Sequence, residues 1–412
     1  MPQSAAARES VGIYLSVPFC RSKCTYCNFA SGVYPATEVG RYVQRLIADL
    51  CGSRSLAVTQ GVMLPAEAGS IYFGGGTPTL LGGADFKAIF AALCESFRIE
   101  PAAEITVECT PGQLSEETLA VMVECGVNRV SLGVQSFVDA EAAASGRLHT
   151  RATAMAEIGR LRAAGITNLN VDLIAGMPHQ TRESWRVSLD CLLQAGVPHA
   201  SVYMLEVDAD SRLGRELLVG GTRYSAGLVP NEATIAEMYV EAVERLHTAG
   251  YSPYEISNFA FDGAESAHNL RYWLRQPYLG VGLDASSMLC CADGNTLRMT
   301  TTSDLRRYSE AVDFASVLEE TTKTGKVQQL EEALFLGLRL ERGIALADLR
   351  EEFGRDAILA YEPIFAGQIA DGLLEEFRGR LRLTMRGRLM SNEVFAAYLL
   401  EPVTGKNGKG RG

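Results

Sequence analysis

The chain has 412 residues, of which 47% are hydrophobic and 21% charged, and its formal net charge is −11. That size accommodates one large core and a smaller domain, and the negative balance argues against nucleic acid as the main partner. No apolar run reaches the ~18 residues of a membrane span, so any membrane contact would be peripheral. The opening Met1-Pro2-Gln3-Ser4-Ala5 lacks a leader pattern, so a reducing cytoplasm is expected.

Residues 1–11 read as a flexible start. Gly12–Val17 is a short apolar strand that delivers a loop holding Cys20, Cys24 and Cys27. The spacing C-x3-C-x2-C supplies three thiolates, which hold three corners of a [4Fe–4S] cube and leave one iron open for a ligand. Structural zinc wants a fourth ligand, usually as a second pair, and neither His nor another Cys pair lies nearby. The other seven cysteines (Cys51, Cys94, Cys109, Cys125, Cys191, Cys290 and Cys291) read as small packing residues.

Strand and helix then alternate to about residue 205. Helices are expected near 37–51, 84–97, 115–125, 151–164 and 181–193, and strands near 70–73, 104–108, 129–133, 168–174 and 200–205. Ser115-Glu116-Glu117-Thr118 opens one helix with a capping pattern, and Gly126, Gly165 and Gly196 close helices. Six strand–helix units imply a parallel sheet, two units short of a closed (β/α)8 barrel. The fold class is therefore α/β: a partial (β/α)6 TIM-like barrel over 12–225, with its chemistry at the strand C-terminal ends.

Residues 226–325 read as a linking region. It has a helix at 231–250, an extended stretch at 251–261, and an irregular, aromatic-rich part at 262–303. Three helical segments and two short strand-like runs over 326–400 suggest a small winged-helix-like α+β domain. Arg378, Arg380, Arg382, Arg386 and Arg388 form a basic strip there, read as a solvated strand face. Residues 401–412 read as a disordered tail.

At the strand ends, Gly74-Gly75-Gly76-Thr77-Pro78 lets backbone approach a ligand closely. Beside a cluster with an open iron, it suits the amino acid end of S-adenosylmethionine (SAM). Glu108, Gln135, Arg147 and Asp172 fall at or just beyond strand ends, around the same barrel mouth.

Together these segments resemble the radical SAM superfamily, in its oxygen-independent coproporphyrinogen III oxidase-like branch. The resemblance rests on Ile13 to Cys20, Tyr72 to Thr79, Val127 to Phe137, Gly146 to Thr150, Asn170 to Pro178, Tyr254 to Ala260 and His268 to Trp273. Oxidases of that branch carry a cysteine two residues after the third cluster ligand, where this chain has Phe29. HemW-type haem chaperones lack that cysteine and carry His-Asn-x-x-Tyr-Trp, here His268 to Trp273. The closer resemblance is thus to the haem chaperones, and oxidase activity is the alternative.

The resemblance implies that Cys20, Cys24 and Cys27 ligate the cluster. It places Tyr14, Tyr26, Gly75, Gly76, Thr77, Glu108, Gln135, Arg147 and Asp172 around SAM, and associates His268, Tyr272 and Trp273 with haem. It further implies an acceptor protein for the haem and an electron donor such as a ferredoxin or flavodoxin. His149, His179, His199 and His247 carry no expected ligand role. The chain departs from the family at Asn28, at Cys109-Thr110 and at Leu283-Asp284-Ala285-Ser286, where members usually have Asp, Ala-Asn and Pro-Gly-Ala-His.

Overall fold

A computed structural model describes residues 10–399. Residues 1–9 and the expected tail 401–412 lie outside them. Residues 10 and 11, expected to be flexible, already belong to the first strand. The described residues form two compact units: 10–272 with 276–323, and 273–275 with 324–399.

In the first unit, six parallel strands run side by side in chain order: β1 (Ser10–Val17), β2 (Glu67–Gly75), β3 (Arg98–Cys109), β4 (Arg129–Gln135), β5 (Asn168–Ala175) and β6 (His199–Met204). Helices Ala36–Gln60, Gly83–Ser96, Glu116–Glu124, Arg151–Ala163 and Arg182–Ala195 fall between successive strands. The partial-barrel reading therefore holds.

Strand alternation separates two chemistries. Ile71 and Phe73, Ile105 and Val107, and Leu169 and Val171 are buried on the helix side. Phe73 stacks on Phe86 of helix Gly83–Ser96 with ring centroids 4.8 Å apart. Each such side chain contributes roughly 1.5–3 kcal/mol when buried. The alternate residues are polar: Ser70 and Tyr72, Glu104, Thr106 and Glu108, Asn170 and Asp172. They face the barrel interior and make it a polar chamber.

The sheet extends beyond the six expected strands. β7 (Asn258–Ala260) pairs antiparallel with β6. β8 (Tyr278–Gly282) pairs parallel with β1 on its free edge, and β9 (Ser286–Cys291) and β10 (Thr296–Thr301) continue antiparallel. The segment expected to be irregular thus builds one side of the barrel. Its glycines hid the strand, since Gly is depleted in strands. Here the closeness demands it: a Cβ on Gly280 would lie 2.2 Å from the Ser286 carbonyl oxygen. Residues 206–230 read from the sequence as a Gly-rich connection, but Arg212–Val219 within them is a helix.

Helix Ala267–Trp273 is anchored at the N-terminal ends of the barrel strands. Glu104, early on the inner face of β3, accepts from Ser266 Oγ and from the amides of Ala267 and His268, at 3.1, 2.9 and 3.0 Å. Arg271 donates to Ser10 of β1 and Ser70 of β2.

The second unit has helices Lys326–Arg339, Leu346–Phe353, Arg355–Leu359 and Glu362–Ala370, then the hairpin Leu374–Phe377 with Arg380–Leu383. Leu334, Leu338, Ile358, Phe365, Leu381 and Val394 are buried in it. Most of its basic strip is occupied locally: Arg382 pairs with Glu375, Arg388 with Glu341, and Arg380 and Arg386 donate to backbone carbonyls.

Candidate active site

The cysteine loop leaves the C-terminal end of β1. Its base is closed by Cys20 N donating to Gly32 O (2.8 Å) and Gly32 N to Pro18 O (2.9 Å). Thr25 N donates to Ser145 O at 3.1 Å, which ties the loop to the segment carrying Arg147. All three thiols are half-buried. Among the described residues no three His, Cys, Asp or Glu side chains converge on one metal ion. A cubane asks for something wider, because each thiolate takes its own iron.

Cations stand beside two of the sulfurs. Lys23 Nζ lies 3.5 Å from Cys27 Sγ and also donates to Phe29 O at 2.6 Å. Arg147 Nη1 donates to Cys24 Sγ at 3.5 Å. Burial opposes the Arg147 charge, yet Tyr26 and Cys24 beside it raise its pKa above the usual value. Burial raises the Cys20 thiol, and hydrogen bonds from Ser31 and Thr77 partly counter this.

The glycine run at the end of β2 lies under this loop. Gly76 N donates to Val17 O and Thr77 N to Phe19 O, both at 2.8 Å. A Cβ on Gly76 would stand 2.7 Å from Phe19 O and 2.8 Å from Val17 O. Both are backbone atoms that cannot swing aside. Gly75 has φ +100°, in the region that favours glycine.

Across the mouth, Gln135 takes φ +70° at the end of β4, an uncommon conformation for a residue with a side chain. Its Nε2 and Arg147 Nη2 both crowd Gly133. Gln135 Oε1 and Arg147 Nε are buried with no hydrogen-bond partner. An unsatisfied acceptor and donor side by side suit a ligand that both gives and accepts hydrogen bonds, as SAM does.

Glu108 and Asp172 add buried negative charge. Burial, then the neighbouring Asp172, pushes the Glu108 carboxyl up to about 7, although Tyr72 and the Gly75 amide donate to it. Burial also raises Asp172, which accepts from Asn170 Nδ2 at 2.7 Å and Ser131 Oγ at 3.3 Å. Two carboxyls short of a counter-charge suit a cationic ligand.

The structure brings Tyr14, Gly75, Gly76, Thr77, Glu108, Gln135, Arg147 and Asp172 to one chamber beside the cysteine loop. Tyr26 sits in that loop, hydrogen-bonded to Cys24. Tyr72 is the residue that sequence reasoning missed. It stacks on Tyr14 (6.1 Å, 25°) and donates to Glu108 Oε1 at 2.9 Å. The available signal was alternation, since Tyr72 shares the face of Ser70 and Gly74.

His268, expected to meet haem, is 1% exposed and engaged at both ring nitrogens: Nδ1 with Ser70 Oγ and Nε2 with Tyr272 OH, each at 2.9 Å. It stacks on Tyr72 with centroids 5.2 Å apart. Trp273 belongs to the other unit, where the Arg339 guanidinium lies 4.5 Å above its ring. His268, Tyr272 and Trp273 all lie on the short helix Ala267–Trp273.

His199 is likewise a buried barrel residue: its Nδ1 contacts Asn170 Oδ1 at 2.6 Å and its Nε2 contacts Tyr254 OH at 2.9 Å. Cys51 and Cys94, expected to pack, are exposed.

Comparison with known proteins agrees with this geometry. Residues 14–192 match the radical SAM superfamily and residues 326–390 match the HemN C-terminal domain. The heme chaperone HemW of Lactococcus lactis is 32% identical over 95% of this chain and 97% of its own length. The Bacillus subtilis HemW is 31% identical over 94% and 99%. The solved structure of Escherichia coli coproporphyrinogen III oxidase (HemN) superposes with a TM-score of 0.81 at 21% identity, covering 95% of this chain and 90% of that one. A polar chamber at the strand ends, a three-cysteine loop above it and a full-length match to these proteins lead to one conclusion: the chain belongs to the radical SAM superfamily, in its HemN-like branch close to HemW, and its cofactors are a [4Fe–4S] cluster and SAM.

Proposed function

We propose that the chain is a haem chaperone, which binds haem and passes it to an acceptor protein. The observation that carries this reading is the extent of similarity to proteins named heme chaperone. It spans 95% of this chain and 97% of the Lactococcus lactis protein at 32% identity, so neither chain has a large unmatched part. Phe29 supports it. At the position where the oxidases have a cysteine, this chain presents an apolar ring, 65% exposed. Leu148, two residues beyond the Gly146 that abuts the loop backbone at Cys24, is also exposed. Helix Arg212–Val219, joined to the loop by Leu213 N and Thr25 O, exposes Leu218 and Val219. These side chains offer apolar surface to a porphyrin face.

In this reading Cys20, Cys24 and Cys27 hold the cluster, and Lys23 and Arg147 offset their charge. Gly75, Gly76 and Thr77 cradle the SAM amino acid group, and Gln135 and Arg147 take its polar edges. Glu108 and Asp172 stabilise its positive charge, while Tyr14 and Tyr26 bound the pocket. Bound cluster and SAM supply one-electron chemistry at the sulfonium C–S bond. A ferredoxin or flavodoxin is the proposed electron source, and the cytoplasm the proposed location. Among the described residues no helix is long and apolar enough to cross a membrane.

The test is anaerobic. Protein with a reconstituted cluster is titrated with haemin, mixed with an apo-haemoprotein, and separately supplied with coproporphyrinogen III, SAM and a reductant. A saturable Soret shift, haem transfer and no protoporphyrinogen are expected. Turnover of coproporphyrinogen without saturable haemin binding would replace this reading with the oxidase.

A further inference from the structure

The helix carrying His268 enters the barrel from the end opposite the cysteine loop, yet its side chains reach the residues of the SAM chamber. An unbroken series of contacts runs between them. Glu108 Oε1 accepts from Tyr72 OH at 2.9 Å. The Tyr72 ring lies on His268 with centroids 5.2 Å apart and 29° between planes, and the Tyr14 ring is 6.4 Å from His268. His268 is fixed from both sides, by Ser70 Oγ at Nδ1 and Tyr272 OH at Nε2. Ser70 is fixed in turn by Arg271 Nε at 3.0 Å. Tyr272 packs edge-on against Tyr278 of β8, 4.6 Å between centroids.

His268 is 1% exposed and hydrogen-bonded at both ring nitrogens. A ring bonded at both nitrogens and stacked on a third side chain has one orientation. It fixes the plane of Tyr72, and that plane sets where the phenol oxygen meets Glu108. Glu108 is buried near a second carboxyl, so the hydrogen bond from Tyr72 decides which oxygen faces the chamber.

We propose that His268, braced by Tyr272, is a positioning residue of the SAM pocket: it forms the floor that holds Tyr72, and through Tyr72 it orients Glu108 toward the cofactor. This rests on the SAM pocket assigned above and is independent of where haem binds.

The experiment uses full-length protein with a reconstituted cluster, and reads SAM affinity by equilibrium dialysis and by the change in the reduced cluster's spin signal. Iron content and thermal melting are recorded alongside. His268→Ala is expected to weaken SAM binding about tenfold, and Tyr72→Phe by a similar factor. The double variant is expected to be little worse than either single one, because both act through one contact. A merely structural role would lower the melting temperature and leave the two effects additive. Should His268→Ala fail to fold, Tyr272→Phe removes one hydroxyl from the brace, with a threefold weakening expected. SAM affinity within twofold of wild type in the folded variants, or additive losses, would overturn the proposal. Haemin titration of the same variants separates the two readings. If His268→Ala loses the Soret shift and keeps SAM affinity, His268 is a haem residue and this inference falls. If wild type shows no shift while the SAM effects appear, the chaperone reading falls alone.

Discussion

Tyr72 and Glu108, on adjacent strands, share a hydrogen bond of 2.9 Å that joins the barrel floor to its mouth. Glu108 sits near the middle of its titration at neutral pH, pushed up to about 7 by burial and by Asp172. A cation bound beside it favours the carboxylate, so binding expels a proton. SAM affinity is therefore expected to rise with pH up to about 7, by at most tenfold per unit, and to level off above it. Glu108→Gln should flatten the profile. Dialysis between pH 6 and 8.5 measures this, and a flat wild-type profile would contradict it.

Three buried histidines work against stability in acid. Burial, then Arg147, pushes His149 down to about 4; burial, then Arg271 and Arg129, pushes His268 down to about 3; burial, then Arg129, pushes His199 well below its ordinary value. The unfolded chain takes up protons near pH 6.5 that the folded chain refuses. Their stabilisation is thus full above 6.5 and declines below it, by about 1.4 kcal/mol per pH unit for each. Glu108 and Asp172, raised by burial, work in the opposite direction as pH falls through their folded values. The melting temperature is expected to drop between pH 6.5 and 5, and more steeply in Glu108→Gln, which lacks one offset. Calorimetry across that range checks both.

Gly76→Ala places a methyl group against two backbone carbonyls, at 2.7 and 2.8 Å. The strand end or the cysteine loop must move. The overpacking is expected to destabilise the protein by about 1–3 kcal/mol and to shift the loop off its ligand geometry. Iron retained after anaerobic reconstitution should fall well below wild type. Gly159→Ala, with open space at its Cβ, is the control and should retain iron.

Asp49 and Arg45 form a buried ion pair on helix Ala36–Gln60, and Tyr308 OH donates to Asp49 at 2.6 Å. Removing one partner strands the other charge without water. Arg45→Ala is expected to cost about 3–5 kcal/mol, and the paired Arg45→Met/Asp49→Leu much less. Denaturant titration of the two variants distinguishes a net contribution of the pair from the penalty of breaking it.

The six-strand barrel was legible because each strand carries apolar residues on its helix side and each helix ends at a readable signal, such as Ser115 or Gly196. The three cysteines were legible from spacing alone. β8 was not, because Gly280 and Gly282 remove the side chains by which a strand is recognised, and their purpose appears only against Ser286 and Ser16. Tyr72 was passed over because an aromatic in an apolar run looks like core. Only the register with β3 turns it inward toward Glu108. The surroundings of His268 were not legible either: a motif names its residues, but the partners Ser70 and Tyr72 lie some two hundred positions upstream.

β1, which presents the cysteine loop, lies between β2 and β8, with Gly12 beside Tyr278. While the chain is still emerging from the ribosome, one edge of β1 has no neighbour, and the loop has no rigid base, until most of the protein has been made. Non-local closure of this kind is slow, and an unpaired edge invites association with other chains. Assembly of a rigid base for the cysteine loop is therefore a late event in synthesis, and a chain cut short before Tyr278 should be more prone to aggregate than the complete one.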